Sequence, residues 1–417
     1  MASLLSSIFP SRSNYSIRVP SAKTHDLENA VEKPARSLKH LLKLNHLNNS
    51  LWVGGTSHNN VAHHLTSAFL FGADDAVLNQ IYEVESKSLD PWKEAPGEVV
   101  GSDWMDYLGK KEYERAFLDF FEDNLVDEGY DWKSVVQKFL FSDNQPLFSS
   151  ITAGLGQPLI HLALAFQMSS RDLAMEALTL VATRYHDNNV AKYSDVAAYF
   201  QAEPSYKSSS ILEILERVRA DQTLKTTVLG TPREQNLSNI FRDHEATLLN
   251  HCNAWTIISQ DPTATFRDSQ AAAVALFLGA KINRSKPDNA NSRKHDICLL
   301  YPLLMSHAIR IILPQTPNNF IISLLKQWWL TTLAIYVARL RPEIELSKPV
   351  VAYDLHDKDW RWVAQQAVKG PHANDTHFVL TLRVLKELGQ TWDDPENYYL
   401  KAAVKFVHEF NGWDIFA

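Results

Sequence analysis

The hydrophobic and polar positions along this chain follow a helical period for most of its length. Apolar residues recur at spacings of three and four, as at Trp360, Val363 and Ala367, which is typical of one buried helix face. Polar, proline-marked joints separate these runs, and few stretches alternate with the period of two that a strand requires. The pattern predicts helices over residues 59–72, 112–124, 159–184, 209–219, 269–281, 297–312, 319–340, 359–368, 376–388 and 398–410.

These runs predict an all-α fold, a large single-domain helical bundle with central apolar helices. The sequence contains no internal repeat with a period of 20–50 residues. We assign residues 1–40 to an N-terminal tail that is partly disordered, and residues 41–417 to the α-helical catalytic domain. The first 25 residues lack Asp and Glu, which faintly resembles an organellar transit peptide, but a disordered tail is the preferred interpretation.

Two segments, 158–166 and 319–336, are apolar on all sides and should lie in the centre of the protein. Burying a polar group of these segments then costs free energy unless that group has a hydrogen-bond partner. The longest apolar stretch, 320–340, is interrupted by Lys326 and Gln327. We therefore predict a buried core helix there and no membrane span.

Composition narrows the class of protein. Fourteen glycines are about half the usual share, which favours helices over a turn-rich β fold. The net charge is −7 and no basic block is long enough to follow a nucleic-acid backbone, so no nucleic-acid partner is expected. Cys252 and Cys298 are the only cysteines and form no metal-binding pair, which fits a reducing, cytoplasmic location.

Histidines supply the first candidate chemistry. The densest cluster is His58-Asn59-Asn60-Val61-Ala62-His63-His64. If the cluster is helical, Asn60 and His64 share a face while His63 points elsewhere, so only a subset can converge on one ion.

Two further histidines extend this candidate site. His161 lies within the apolar segment 158–166, where a lone histidine is either a satisfied core residue or a ligand. His377 opens a predicted helix after Asn374 and Asp375, so it is either a third imidazole or a neighbour of a helix cap.

Four segments, in this order and spacing, resemble the questin oxidase-like family of fungal polyketide pathways. They are 57–65 (SHNNVAHHL), 71–73 (FGA), 156–162 (GQPLIHL) and 375–377 (DTH). The likeness spans most of the chain after residue 40. It implies an all-helical fold, and its oxidative members are implied to cleave anthraquinone-type rings with a histidine-rich iron site completed by a modified lysine.

The chain departs from that pattern at three positions. Asn60 stands where the family's first segment has a histidine, Tyr301 stands where another histidine is expected, and Leu380 stands in place of the lysine. An amide oxygen in place of imidazole disfavours iron(II) and suits Mg²⁺. The imidazoles that remain are His58, His161 and His377.

Within the same fold, the chain is similar to the fungal α-humulene synthases of tropolone-meroterpenoid pathways. That likeness implies farnesyl diphosphate as substrate and Mg²⁺ as cofactor. Ionising an allylic diphosphate requires Mg²⁺ and cationic groups on the leaving group, and a dry aromatic wall around the carbocation. The predicted wall comprises Trp328, Trp329 and Tyr336, with Phe166 and Phe277, although each of these is individually typical of a core aromatic.

The segment Arg184-Tyr185-His186-Asp187-Asn188-Asn189 is the candidate for diphosphate capture, because it places an arginine beside oxygen ligands for a hard cation. Its alternative is an ordinary helix C-terminus. The predicted catalytic residues are Arg184, Trp328, Trp329 and Tyr336. The predicted substrate-binding residues are Phe166, Arg184, Tyr185, Phe277 and Tyr301. The predicted metal ligands are His58, Asn60, His161, Asp187, Asn188 and His377.

The function predicted from the sequence is a Mg²⁺-dependent sesquiterpene cyclase that converts farnesyl diphosphate to a humulene-type hydrocarbon in fungal meroterpenoid biosynthesis. The alternative is a questin oxidase-like oxygenase that depends on a metal, with iron as cofactor, and acts on an aromatic polyketide. A third class is a non-catalytic relative that only binds such a product. An isoprenyl diphosphate is the predicted small-molecule partner, and a homodimer is left open.

Overall fold

The computed structural model describes residues 17–55, 57–142, 147–185, 203–224, 233–257, 260–281, 293–345, 348–394 and 396–414. As predicted, the fold is all-α, with a few very short strands. The helices are α1 Lys33–Asn48, α2 Val61–Leu70, α3 Asp75–Glu85, α4 Glu114–Asp127, α5 Trp132–Leu140, α6 Ala153–Met168, α7 Arg171–Thr183, α8 Ile211–Ala220, α9 Arg233–Ala254, α10 Pro262–Gly279, α11 Ile297–Ile312, α12 Asn318–Ala338, α13 Lys348–Val351, α14 Trp360–Lys369, α15 Thr376–Thr391 and α16 Tyr398–Glu409.

Short strands tie loops to this bundle in three pairs. Strand β1 (Trp52–Val53) pairs antiparallel with β2 (Ser57–His58), and Trp52 lies opposite His58. The other pairs are antiparallel β3 (Ala280–Lys281) with β5 (Glu343–Ile344), and parallel β4 (Arg293–Asp296) with β6 (Phe410–Asp414). The β1–β2 hairpin is relevant to the candidate site described below because it places His58 against the helices.

The centre of the bundle is formed by α6, α11 and α12. Helix α6 packs on α7 and α11, and α12 packs on α9 and α11. Nearly every residue of α11 and α12 is buried inside the protein, although both are long and apolar enough to cross a membrane. The prediction that 158–166 and 319–336 lie in the core, with no membrane span evident, is confirmed.

The helical pattern predicts most element positions, but it joins two helices into one run and misses several others. The predicted run 159–184 is two helices, because Ser169 adopts a left-handed conformation with φ 49° and Ser170 caps α7 through its hydroxyl. The pattern also missed α1, whose residues Lys33–Asn48 cross the tail boundary drawn at residue 40. Helices α3, α5 and α9 were likewise not predicted.

Gly156 lies in α6, before His161, and a substitution at this position tests how tightly α6 packs on α11. Its φ is 81°, and an added Cβ would clash with the side chain of Met305 on α11. We expect Gly156→Ala to lower the free energy of unfolding by about 2–4 kcal/mol, from left-handed strain and overpacking. Gly101→Ala is the control, since a Cβ there meets nothing within 4 Å. Equal urea midpoints for both variants would contradict the tight packing.

Candidate functional site

Three buried imidazoles from three separate elements meet beside α6. His58 comes from β2, His63 from the first turn of α2 and His161 from α6. Their ring centroids are 5.2 Å (His63–His161), 5.6 Å (His58–His161) and 5.9 Å (His58–His63) apart. Their side chains are almost inaccessible to solvent. We call these three residues the histidine cluster.

Hydrogen bonds orient two of the three rings. His161 Nε2 lies 2.7 Å from Glu176 Oε2, and His58 Nδ1 lies 3.1 Å from Asn60 Oδ1. These acceptors fix the protons on Nε2 of His161 and on Nδ1 of His58, which leaves a lone pair on the other nitrogen of each ring. His161 Nδ1 is 3.3 Å from His63 Nε2, whereas His58 Nε2 and His63 Nδ1 have no hydrogen-bond partner in the described part of the chain.

A chain of carboxylates and imidazoles leads from the cluster towards the surface. Glu176 Oε1 lies 2.8 Å from His46 Nδ1, and His46 Nε2 lies 2.9 Å from Glu122 Oε1. Burial opposes charge on His46, but the two carboxylates outweigh it and raise its pKa to about 9. Burial also opposes charge on Glu176, yet its hydrogen bonds with His161 and His46 lower its pKa to about 2. At neutral pH, Glu176 is therefore negatively charged and His46 is positively charged. Their hydrogen bonds form a path along which a proton can move.

Two imidazoles of the cluster are electrically neutral. Burial, helped by the neighbouring His161, lowers the pKa of His58 to about 3 and that of His63 well below its usual range. Arg184 contributes to the shift at His58, and its guanidinium lies 3.7 Å from the ring centre of Trp52. Arg383 contributes to the shift at His63. The site therefore combines two neutral imidazoles with two nearby fixed cations.

A second polar group lies one helical turn from His161. Gln157 on α6 donates from Nε2 to the Tyr301 hydroxyl at 2.9 Å, and that hydroxyl is 3.1 Å from His377 Nε2. Residues 157 and 161 share a face of α6 because they are four apart. Tyr301 thus supplies a hydroxyl where the resemblance led us to expect an imidazole.

The donor atoms of the cluster fit a transition metal better than they fit Mg²⁺. Among the described residues no three His, Cys, Asp or Glu side chains already form a metal-ligand set. The 3.3 Å between His161 Nδ1 and His63 Nε2 nevertheless matches two ligands on one tetrahedral ion with bonds of about 2.0–2.1 Å. His58 Nε2 is a third buried nitrogen, and imidazole suits iron whereas Mg²⁺ selects oxygen.

The sequence-predicted ligands are brought together only in part. His58 and His161 meet, Asn60 lies behind His58 as its hydrogen-bond partner, and His377 pairs with Tyr301. Asp187 and Asn188 lie outside the described residues, so Mg²⁺ binding there stays a prediction.

The residues of the predicted aromatic wall contact other residues of the protein core. Trp328 and Trp329 pack on Trp255, and the Trp328 Nε1 donates to the carbonyl of Pro302 at 2.9 Å. The Tyr336 hydroxyl donates to the Pro342 carbonyl at 2.9 Å.

The predicted substrate-binding aromatics lie in different surroundings. The ring of Phe166 packs on Trp132 at 4.9 Å, and that of Phe277 on His295 at 5.4 Å. Tyr185, next to Arg184, is half-buried at the end of a described segment.

Sequence reasoning missed His63 and Glu176. It treated Asn60 and His64 as sharing one helix face, but Asn60 precedes the first residue of α2 and is not helical. His64 turns to Glu85 Oε1 (2.8 Å) and the Ala373 carbonyl (2.9 Å), outside the cluster. A signal for Glu176 was its position as the one acidic residue within the apolar run 173–183.

Glu114, near this site, makes stability depend on pH. Burial raises its pKa to about 8, and its Oε1 accepts the Leu51 amide at 2.8 Å. Because the folded state holds this proton more tightly, stability is fully present below about pH 4.5 and is lost as pH rises towards 8. We expect Glu114→Gln to remove a decline of about 3–4 kcal/mol between pH 5 and 8, measured by thermal unfolding. An unchanged pH slope would contradict the buried, protonated state.

Comparison of the sequence with known proteins finds relatives that are named as oxidative enzymes. A profile described as questin oxidase-like matches residues 57–385. A protein named Baeyer–Villiger monooxygenase AacuH, from Aspergillus aculeatus, is 22% identical over 384 residues, which cover 84% of this chain and 78% of the relative. A questin oxidase from Aspergillus terreus is 24% identical over 200 residues, 46% of this chain and 44% of the relative. A Baeyer–Villiger oxidase, notM, from an Aspergillus species is 26% identical over 198 residues, 45% of this chain and 42% of the relative.

These relatives overturn the predicted cyclase chemistry. They are named for oxidation and Baeyer–Villiger reactions, and none for a terpene cyclase, humulene or farnesyl diphosphate. The prediction of a sesquiterpene cyclase is therefore wrong. The carbocation role given to Trp328, Trp329 and Tyr336 and the diphosphate role given to Arg184 were predicted for that chemistry.

Proposed function

Because this chain belongs to the questin oxidase-like family, we propose that it is an oxidoreductase that inserts oxygen into a ring of an aromatic polyketide hydroquinone. In the proposed reaction the hydroquinone supplies two electrons and two protons. One atom of O₂ enters between a ring carbonyl carbon and its neighbour, giving a lactone, and the other atom leaves as water. The names of the relatives support this reaction class.

The convergence of three buried imidazoles is the observation that carries the proposal. His58 Nε2 and His63 Nδ1 have no hydrogen-bond partner among the described residues, so either can accept a hydrogen bond from a phenolic hydroxyl and take its proton as the phenolate forms beside it. Arg184, which acts electrostatically on His58, favours the phenolate that results. Glu176 holds the ring of His161 and, through His46, connects it to the partly exposed Glu122.

If iron is bound, His58 Nε2, His63 Nε2 and His161 Nδ1 would hold it, and the metal would supply activation of O₂. Glu176 and Asn60 would then act as the outer partners that orient the ligand rings. Tyr301, with His377 and Gln157, is placed to donate a hydrogen bond to a ring carbonyl. The homodimer and the cytoplasmic location remain predictions.

The test is isotope incorporation, because hydroquinones also react with O₂ without an enzyme. The full-length protein would be mixed anaerobically with a hydroxylated anthrahydroquinone and then exposed to ¹⁸O₂. We expect one labelled oxygen in a ring-expanded product and one in water. Unlabelled quinone with hydrogen peroxide, at the rate of the protein-free control, would overturn the proposal. Elemental analysis of the purified protein separately asks whether iron is present.

A further inference from the structure

A separate cavity of about 350 Å³ lies towards the C-terminal ends of α2, α6, α11 and α15. Its wall includes Lys23, Gln167, Arg310, Arg383, Lys386 and Glu387. The helical rise of 1.5 Å per residue places Gln167 about 9 Å beyond His161 along α6, and Arg310 about 14 Å beyond Tyr301 along α11. The cavity therefore lies beyond the histidine cluster along these two helices, although Arg383 of its wall is close enough to act electrostatically on His63.

Two buried guanidinium groups in this wall lack a full set of partners. Arg310 and Arg383 are each 3% exposed. Among the residues that the structure describes, Arg310 Nε, Arg383 Nε and Arg383 Nη1 are buried without a hydrogen-bond partner. Such donors are rare inside proteins, because each unpaired group loses its hydration and gains nothing in return.

Glu387 is the one carboxylate of the wall, and other groups already engage it. Its Oε1 accepts from Gln167 Nε2 at 2.8 Å, and its Oε2 lies 2.9 Å from His307 Nε2 and 3.5 Å from Arg310 Nη2. Burial lowers the pKa of His307 to about 4, so this imidazole adds no charge at neutral pH. Burial also lowers the pKa of His25, the imidazole that lines the cavity itself.

The charges of the cavity do not balance. Lys23, Arg310, Arg383 and Lys386 carry four positive charges against the single negative charge of Glu387. Of the two buried arginines, Glu387 can compensate only one, and an uncompensated buried charge is costly. Arg310 also lies in the last turn of α11, where a cation is favoured by the helix dipole. Arg383 lies in the middle of α15, so that explanation does not extend to it.

We propose that this cavity binds an organic monocarboxylate with a small aromatic body. One carboxylate would neutralise the excess buried guanidinium, a group whose geometry suits a planar carboxylate. The volume is that of a small-molecule site. The Lys386 ammonium, 4.9 Å from the ring centre of Phe71, brings an aromatic face and a second cation to the same wall. This assignment does not depend on the proposed oxidation.

The probe is 2-naphthoate, titrated into the full-length protein by calorimetry, with neutral 2-naphthamide and inorganic phosphate in parallel. We expect one naphthoate per chain, a rise in melting temperature with naphthoate, and no binding of the amide. Phosphate that binds in place of naphthoate would overturn the carboxylate assignment, as would no binding of naphthoate.

Three variants locate the binding. Arg383→Met should weaken naphthoate binding at least tenfold while leaving the ligand-free melting temperature unchanged or higher, because an uncompensated charge is removed. Lys386→Gln, at a half-buried position that tolerates change, should weaken binding several-fold, and the exposed Arg361→Met should bind as the parent does. Parent-like binding by both Arg383→Met and Lys386→Gln would overturn the site. A marked fall in the ligand-free melting temperature of Arg383→Met would show instead that Arg383 is a structural ion-pair residue.

Discussion

Replacing His63 by Gln is expected to lower the turnover of the proposed oxidation by about 10²–10⁴-fold, the usual contribution of a positioned acid–base group. His63 is buried in the histidine cluster, and its ring is bonded only to His161 among the described residues. Gln retains a polar side chain of similar length, so we expect the melting temperature to change by a few degrees only. The measurement is the initial rate of labelled product formation.

The adjacent His64 provides a matched control on the same helix. It is equally buried, but it bonds to Glu85 and to the Ala373 carbonyl, away from the cluster. His64→Gln should therefore cost stability and leave the turnover of the folded protein close to that of the parent. Equal losses of turnover in both variants, or a fully active His63→Gln, would exclude the cluster as the reaction centre.

Replacing Glu176 by Gln is expected to lower the free energy of unfolding by about 3–5 kcal/mol, the cost of breaking a buried ionic network by removing one partner. Glu176 is fully buried between His161 and His46, and its two oxygens lie 2.7 Å and 2.8 Å from their ring nitrogens. Without the carboxylate, the protonated His46 loses its buried counter-charge. Urea unfolding followed by circular dichroism measures the effect.

Glu122→Gln is the control for this prediction. Glu122 bonds to the opposite nitrogen of His46 at 2.9 Å, but its side chain is 35% exposed, so water screens the interaction. Its removal should cost about 0–1 kcal/mol. Similar costs for both carboxylates would contradict the view that Glu176 anchors the network. A stable Glu176→Gln variant would lead to the same conclusion.

Much of the helical architecture could be predicted from the chain alone, because each helix records its buried face in a local period. The run 297–312 coincides with α11, and the run 209–219 differs from α8 by two residues or fewer at each end. The all-apolar segments were placed in the core for the same reason, since no face of them tolerates water. The family, too, was recognised from short motifs in order.

Packing decided what periodicity could not. A period says which residues share a face of one helix, but it does not say which neighbour that face meets or where a hairpin enters. His58 reaches the cluster from β2. Asn60 lies before the first residue of α2, so it does not share a helix face with His64. His63 therefore contributes to the cluster where the sequence pattern predicted Asn60 and His64.

The same limit applies to residues that are far apart in the chain. Residues 46, 161 and 176 come together only when α1, α6 and α7 pack, and only that packing turns an isolated Glu in an apolar run into the anchor of two imidazoles. In the sequence alone, Arg310 and Arg383 likewise look like ordinary charged residues of helices. Tertiary structure buried both beside a single carboxylate, because the electrostatic balance of a cavity depends on every chain segment that lines it.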